Sequence, residues 1–360
     1  MVQMKWIRRT AIGGLMVLPI LLTGCGLFSK ETSQSIDPPP SENTNKGGSE
    51  TPSTGKIDEP GQGNDSQLTV YLEDSKGYLA PVALKTTLGE SETPGQKALE
   101  MMVDGGSYSK QLPADFRAVI PQGTQVKSYN VNKEKKLATV EFSAPFKDYN
   151  ATDERTIVEA ITWTLTAMTG IEGVEIWYEG AKLPEMPVDG FPLDEPLTRS
   201  VGINLEAAEG VNYANSTPVT LYFSSQTSEN EQYYVPVTRL ITRSDKQADT
   251  EAVALAALEQ LIAGPLNKKE LTGVITNDVK VTSIEQTEDT VSIDLQDEAY
   301  EAGQPAPAEM LEALVLSVTE NTGAAKVQIR LNGEANVVDE NNNSYSEPVA
   351  RPHHVNAIKS

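Results

Sequence analysis

Cys25 is the only thiol in the chain, and the adjacent His353 and His354 are its only imidazoles. A single cysteine rules out an intramolecular disulfide and any CxxC metal or redox site. Zinc wants several His or Cys ligands, so only the histidine pair could begin such a site, with carboxylates supplied by the fold. The same pair would have to carry any histidine-based acid–base chemistry. A surface loop is the simpler reading of it. Asp189-Gly190 and Asp339-Glu340-Asn341-Asn342-Asn343 suggest calcium, but neither has the twelve-residue spacing of an EF-hand loop, and turns account for both. No G-x-S-x-G, phosphate loop or paired-carboxylate motif stands out, although a hydrolase working through carboxylates alone stays open. Trp163, Trp177 and Tyr178 offer a stacking surface for a glycan or a contact for a partner protein. The expectation is therefore no catalytic, cofactor-binding or metal-binding residue, and one modified residue, Cys25.

The surroundings of Cys25 give it that role. Lys5, Arg8 and Arg9 precede an apolar run from Ala11 to Leu22, too short to span a bilayer but suited to a secretory signal. Leu22-Thr23-Gly24-Cys25 has the form of a bacterial lipobox, in which the thiol takes a diacylglycerol before cleavage. Residues 1–24 are read as a lipoprotein signal peptide. Acyl chains on Cys25 would hold the protein on membrane lipid at the extracytoplasmic face. Residues 25–66 continue as a Ser-, Pro-, Gly- and Asn-rich spacer with few large apolar side chains, expected to be disordered. As a coil it spans on the order of 35 Å. The net charge is −22, so binding to nucleic acid, which needs a basic patch, is not expected.

Past the spacer the chain says the same thing twice. VEIWYEG (174–180) matches VQIRLNG (327–333), EAITWTLTAMTG (159–170) matches EALVLSVTENTG (312–323), and ATVEFS (138–143) matches VSIDLQ (291–296), all at an offset of 153. KALEMMVDGG (97–106) pairs with AALEQLIAGP (256–265), and LTVYL (68–72) with VTLYF (219–223). Beyond the last strand, Glu195-Pro196, Arg199 and Asn204 match Glu347-Pro348, Arg351 and Asn356 at an offset of 152. Such order-preserving self-similarity marks a duplicated unit, with domains at 67–208 and 216–360. His353 and His354 have no first-copy counterpart, since Val201 and Gly202 stand there. Leu316 and Arg330 stand opposite Trp163 and Trp177, so any aromatic patch belongs to the first copy.

Each copy decodes as strand, helix, strand, strand, helix, strand. Leu68, Val70 and Leu72 alternate as a half-buried strand. Thr93-Pro94 starts a helix with Leu99, Met102 and Val103 on one face, ended by Gly105-Gly106. VKSYNV and LATVEF flank a polar hairpin loop. Ile157, Val158, Ile161, Leu165 and Met168 stripe a second helix, closed by Gly170, and Val174, Ile176 and Tyr178 face one way on the last strand. The second copy repeats this with Leu255, Leu258, Leu261 and Ile262, then Leu311, Leu314, Val315 and Val318, then Val327, Ile329 and Leu331. The fold class is α/β (α+β): two tandem small βαββαβ domains, each with its helices on one face of a mixed sheet.

AITWTLTAMTGIEGVEIWYEG, LPADFRAVIPQGTQV, YYVPVTR (233–239) and SVGINLE (200–206) resemble the sporulation and spore germination domain called GerMN. The resemblance covers nearly all of the mature chain. It implies an extracytoplasmic lipoprotein of endospore formers, at the sporulation septum and intermembrane space, needed in sporulation and later germination. It also implies a domain similar to the ring-building motif, acting as a non-enzymatic scaffold for sporulation envelope and channel proteins. Ring-building modules pair helix face against sheet, so two in one chain are expected to pack that way, and self-association is expected of the same surface. A peptidoglycan- or solute-binding lipoprotein is the alternative, and a cortex-modifying hydrolase with acidic catalysts the third reading.

Overall fold

The computed structural model describes residues 65–207, 210–242, 249–356 and 358. Residues 1–24, read as a signal, Cys25 and nearly all of the residues read as a spacer lie outside them. Residues 59–360, which include both repeats, form one compact unit.

In the first repeat β1 (Asp65–Asp74) folds back on β2 (Leu79–Thr87) as an antiparallel hairpin. Helix α1 (Pro94–Met101) follows, then β3 (Phe116–Arg117) on the other side of β1. A second hairpin, β4 (Val126–Asn132) and β5 (Leu137–Phe142), leads through α2 (Glu154–Thr166) to β6 (Gly173–Tyr178). The crossover sets β6 parallel to β5, and β7 (Ala181–Lys182) adds an antiparallel edge. A two-residue strand, β8 (Glu206–Ala207), precedes the second repeat.

That repeat runs β9 (Ser216–Gln226), β10 (Gln232–Thr242), α3 (Thr250–Ala263), β11 (Lys280–Thr287), β12 (Thr290–Gln296), α4 (Ala308–Thr322), β13 (Lys326–Leu331) and β14 (Val349–Ala350). β12 and β13 are again a parallel pair.

The α/β class and the duplication are as expected. Each copy gains one long strand, β2 or β10, and short ones, β3 and β7 in the first and β14 in the second. β1 and β9 do not join the sheet of the other strands; each pairs with a partner, β2 or β10, that the sequence pattern hid, so every repeat has two sheets. Residues Leu79–Leu84 are all buried, which erases the alternation that marks a half-covered strand. Pro81 and Pro236 look like strand breakers. In fact Pro81 faces Tyr71 in register, and Tyr71 sends its own N–H away to Thr164 Oγ1 at 2.9 Å. That position of the ladder exchanges no bonds, so the N–H that proline lacks is not missed.

Smaller differences have local causes. β1 is covered on both faces, since Tyr71 is as buried as its neighbours Val70 and Leu72. Helix α1 stops at Met101; Met102 and Val103 leave it while staying buried, and Val103 bridges to Ile120. Its start is as expected, with Thr93 Oγ1 accepting from Gln96 N and proline at the first position. Helix α2 ends at Thr166, before Gly170, which turns the chain at φ 83. Ile157, Val158, Ile161 and Leu165 are buried, whereas Met168 lies past the helix and is half-buried. On α3 the buried face is Ala254, Ala257, Leu258 and Leu261, which puts Leu255 to one side at 39% exposed. Leu311, Leu314, Val315 and Val318 of α4 are all buried.

A single apolar cluster runs through both repeats, from Leu68 and Val70 to Val327 and Ile358. Within it Phe142 stacks on Phe146 at 4.3 Å between ring centres. Phe146 is fully buried, so Phe146→Ala should cost roughly 3–5 kcal/mol of unfolding free energy, read from the shift of the urea midpoint at constant slope.

Candidate functional site: the joint between the repeats

Polar side chains of both repeats converge where the repeats meet. The outward edge of β2 (Leu79, Pro81, Ala83) faces that of β10 (Tyr234, Pro236, Thr238), and the two C-terminal tails run between them. Asn204, in the tail of the first repeat, has φ 48, a left-handed conformation that asparagine tolerates better than most residues. Its Oδ1 accepts from Leu79 N at 2.8 Å, and its Nδ2 donates to Leu79 O and to Pro236 O, both at 2.7 Å. Asn356, in the second tail, mirrors this. Its Oδ1 accepts from Tyr234 N, and its Nδ2 donates to Tyr234 O and Pro81 O, all at 2.8 Å. A carboxamide imitates a peptide group, so each asparagine completes a strand edge of its own repeat and hooks the other's.

The tails are exchanged as well. Thr238 N donates to Ile203 O, and β8 lies parallel to β10. In return Ala83 N donates to Asn356 O, and His354 Nδ1 lies 3.1 Å from Thr69 Oγ1 on β1. The buried Arg239 of β10 ties down the first tail, its Nη2 donating to Glu206 Oε2 at 2.9 Å. Each repeat thus gives the other the same kind of contact, strand edge to tail. The helix-face-to-sheet packing expected inside the chain is not used: β2 and β10 meet edge to edge, with the tails meeting their outward backbone groups.

Charge is concentrated beside these clasps. Glu320, near the end of α4, accepts from Arg199 Nη1 at 2.5 and 2.6 Å and from Arg351 Nη2 at 3.0 Å. Tyr222 hydroxyl lies 3.2 Å from the same carboxylate and also receives Arg351 Nη2 at 2.5 Å. Arg199 lies over the ring of Trp163 at 4.4 Å, and Arg351 over that of Tyr222 at 5.0 Å. The Trp163 indole donates to Gly202 O at 2.7 Å. Gly202 has φ 78, and a Cβ there would press on Thr238, so this tight crossing requires glycine. Burial pushes the Glu320 carboxyl upward, but Arg199 and Arg351 outweigh it and hold the group below the usual carboxylate range. Burial also raises Tyr71 and Tyr222, which keeps both phenols neutral.

The other residues singled out in the sequence are scattered. His353 is exposed and His354 half-buried against β1. Among the described residues no three His, Cys, Asp or Glu side chains are grouped to hold a metal ion. Asp339 is fully buried and spends its carboxylate on Asn341 N, Asn343 N and Asn343 Nδ2. The Asp189 turn is held by Glu154, which accepts from the amides of Val188, Asp189 and Phe191 and from Tyr149 hydroxyl. Trp163 sits in the core, so it makes no stacking surface with Trp177 and Tyr178, which are half-buried on β6. Cys25 lies outside the described residues.

The matched Arg and Asn residues after the last strand of each copy were the sequence signal for the joint. Glu320 gave none, since Ala167 stands in its place in the first copy, and Arg239 carried no pattern either.

Against known proteins, the chain matches the family described as Germane, sporulation and spore germination, over residues 69–184 and 220–337. The chain belongs to the Germane family. It is 37% identical to the spore germination protein GerM of Bacillus subtilis (strain 168) over 359 residues, 94% of each protein. It is also similar to a solved structure of the tandem GerMN domains of the Bacillus subtilis sporulation protein GerM, with a TM-score of 0.73 and 35% identity, covering 81% of this chain and all of that one. The two Germane matches fall one in each repeat, and these relatives are named for sporulation and germination rather than for a catalysed reaction.

Two outcomes test the joint. Glu320→Gln leaves two guanidinium groups without their counter-charge and should cost about 3–5 kcal/mol. Because the folded carboxyl titrates below its unfolded value, its stabilisation is present above that value and lost as pH falls. The gap between wild type and Glu320→Gln should therefore shrink below pH 4.5, as followed by urea unfolding at several pH values. Asn204→Asp turns a donor toward two carbonyls into an acceptor, and should cost about 1–3 kcal/mol in the same assay.

Proposed function

We propose that this Germane protein is a lipid-anchored, extracytoplasmic, non-enzymatic scaffold of the sporulation envelope, required for spores that later germinate. The observation that carries the reading is the joint. A largely buried polar network is spent on fixing one repeat to the other, which suits a body that presents surfaces at set spacing. The terminal strands β4 and β11 of the four-stranded sheets stay out of the joint, and they offer edges to envelope or channel proteins at the septum. Kinship to a spore germination protein supports the setting, and the lipobox at Cys25 supports the anchor.

Full-length protein carrying a fluorescent fusion, beside a Cys25→Ser version, tests this in sporulating cells. Wild type is expected at the septum and the engulfing membranes, with Cys25→Ser lost from the membrane fraction. Even spread of wild type over the whole membrane would remove recruitment by a partner. Retention of Cys25→Ser in the membrane would remove the lipid anchor.

A further inference from the structure

The charges at the joint are not shared equally. Both repeats bring an arginine, Arg199 or Arg351, and both bring a tyrosine to the centre, Tyr71 or Tyr222. At this cluster only the second repeat brings the acid, because Glu320 corresponds to Ala167 in the first; beside it the first repeat sends Glu206 to Arg239 of the second, again a contact between unlike repeats. The clasp itself is reciprocal, with Asn204 and Asn356 making equivalent bonds. Geometry alone would let any repeat pair with any other, and the charge set decides which pairs form. First with second brings two arginines to one carboxylate, with hydrogen bonds to fill the remainder. First with first brings two Arg199 side chains together without Glu320 and leaves Glu206 without Arg239, and two desolvated cations do not settle side by side. Second with second crowds two Glu320 carboxylates near one point and leaves both buried Arg239 side chains without Glu206.

We propose that Glu320 is the pairing determinant of this surface. The joint face of the first repeat, with Arg199 laid on Trp163 and the β2 edge open for an asparagine, is a docking site for a second repeat presenting its acid, and another copy of this chain can supply that repeat. The covalent link that favours the repeat of the same chain is short, from Ala207 of β8 to Ser216 of β9. The link raises effective concentration without adding to the recognition.

The full chain with a site-specific protease sequence inserted between Gly210 and Asn212 provides the test. After cleavage the two pieces should stay together as a one-to-one complex. When cleaved protein with differently tagged pieces is mixed in, native mass spectrometry should find first–second pairs of mixed origin and no first–first pairs. Glu320→Gln should weaken the first–second pair at least a hundredfold. The quadruple variant Arg199→Gln, Glu206→Gln, Arg351→Gln, Glu320→Gln keeps both asparagine clasps and removes the uneven charge from the joint face of the first repeat. It should still hold pieces together, and first–first pairs should now appear. Backbone circular dichroism of each cleaved sample checks that the pieces remain folded. Separation of the wild-type pieces on cleavage would overturn the proposal, since the link would then be doing the recognition. First–first pairs in wild type, or none in a folded quadruple variant, would equally overturn it, because Glu320 would then set stability and not choice.

Discussion

Two strand edges that cannot be left bare dictate the centre of this molecule. On a buried edge every outward N–H and C=O must find a partner; β2 ends its sheet there, and β10 faces it with the part of its edge that the two-residue β8 leaves uncovered. Direct pairing would need both edges in one register, with prolines at 81 and 236 in the way. The chain instead runs its two tails between the edges and inserts a carboxamide at each end. Placement of the tails, crowding at Gly202 and burial of Trp163 all follow from meeting that requirement.

Once the tails are in place, they carry charge into a region with little water. A lone buried guanidinium would be costly; two are tolerable because Glu320 lies between them and aromatic faces cover their flat sides. Swapping such a cluster for apolar residues of similar size is often neutral or stabilising in proteins. Its value is therefore better sought in selecting one arrangement of the repeats than in raw stability. The Glu154 carboxylate, held by three backbone amides and a phenol, does comparable work within the first repeat alone, tying the long loop after β7 to the start of α2.

The sequence displayed the parts of the fold whose apolar residues keep a period. The β4–β5 hairpin and β6 alternate, and polar Thr162, Thr164 and Ser317 stand among the buried residues of α2 and α4, so the apolar ones still recur along each helix. It concealed what breaks that period. The run Leu79–Leu84 has no polar face, Tyr71 is covered like its neighbours, and Leu255 belongs by type to a stripe that the helix turns away from the core. The joint was half legible. Arg199, Asn204, Arg351 and Asn356 recur at one offset after the last strand, which repetition alone can detect. Glu320 is unique to one copy, so the method that found its partners could not find it. Cys25 is a matter of local spelling near the start of the chain, which packing neither reveals nor tests.

The exchange of tails also sets a schedule. Asn356 closes the edge of β2 at Pro81, 275 residues earlier in the chain. At a synthesis rate of roughly 5–20 residues per second, that edge waits on the order of 15–55 s for its cover. Over that interval the first repeat is a nearly finished sheet with one side open, the form of intermediate most prone to sticking. Prolines in the middle of β2 and β10 then have a second use, since an edge that lacks an N–H at its centre is a poor template for a stray strand while the chain is still being made.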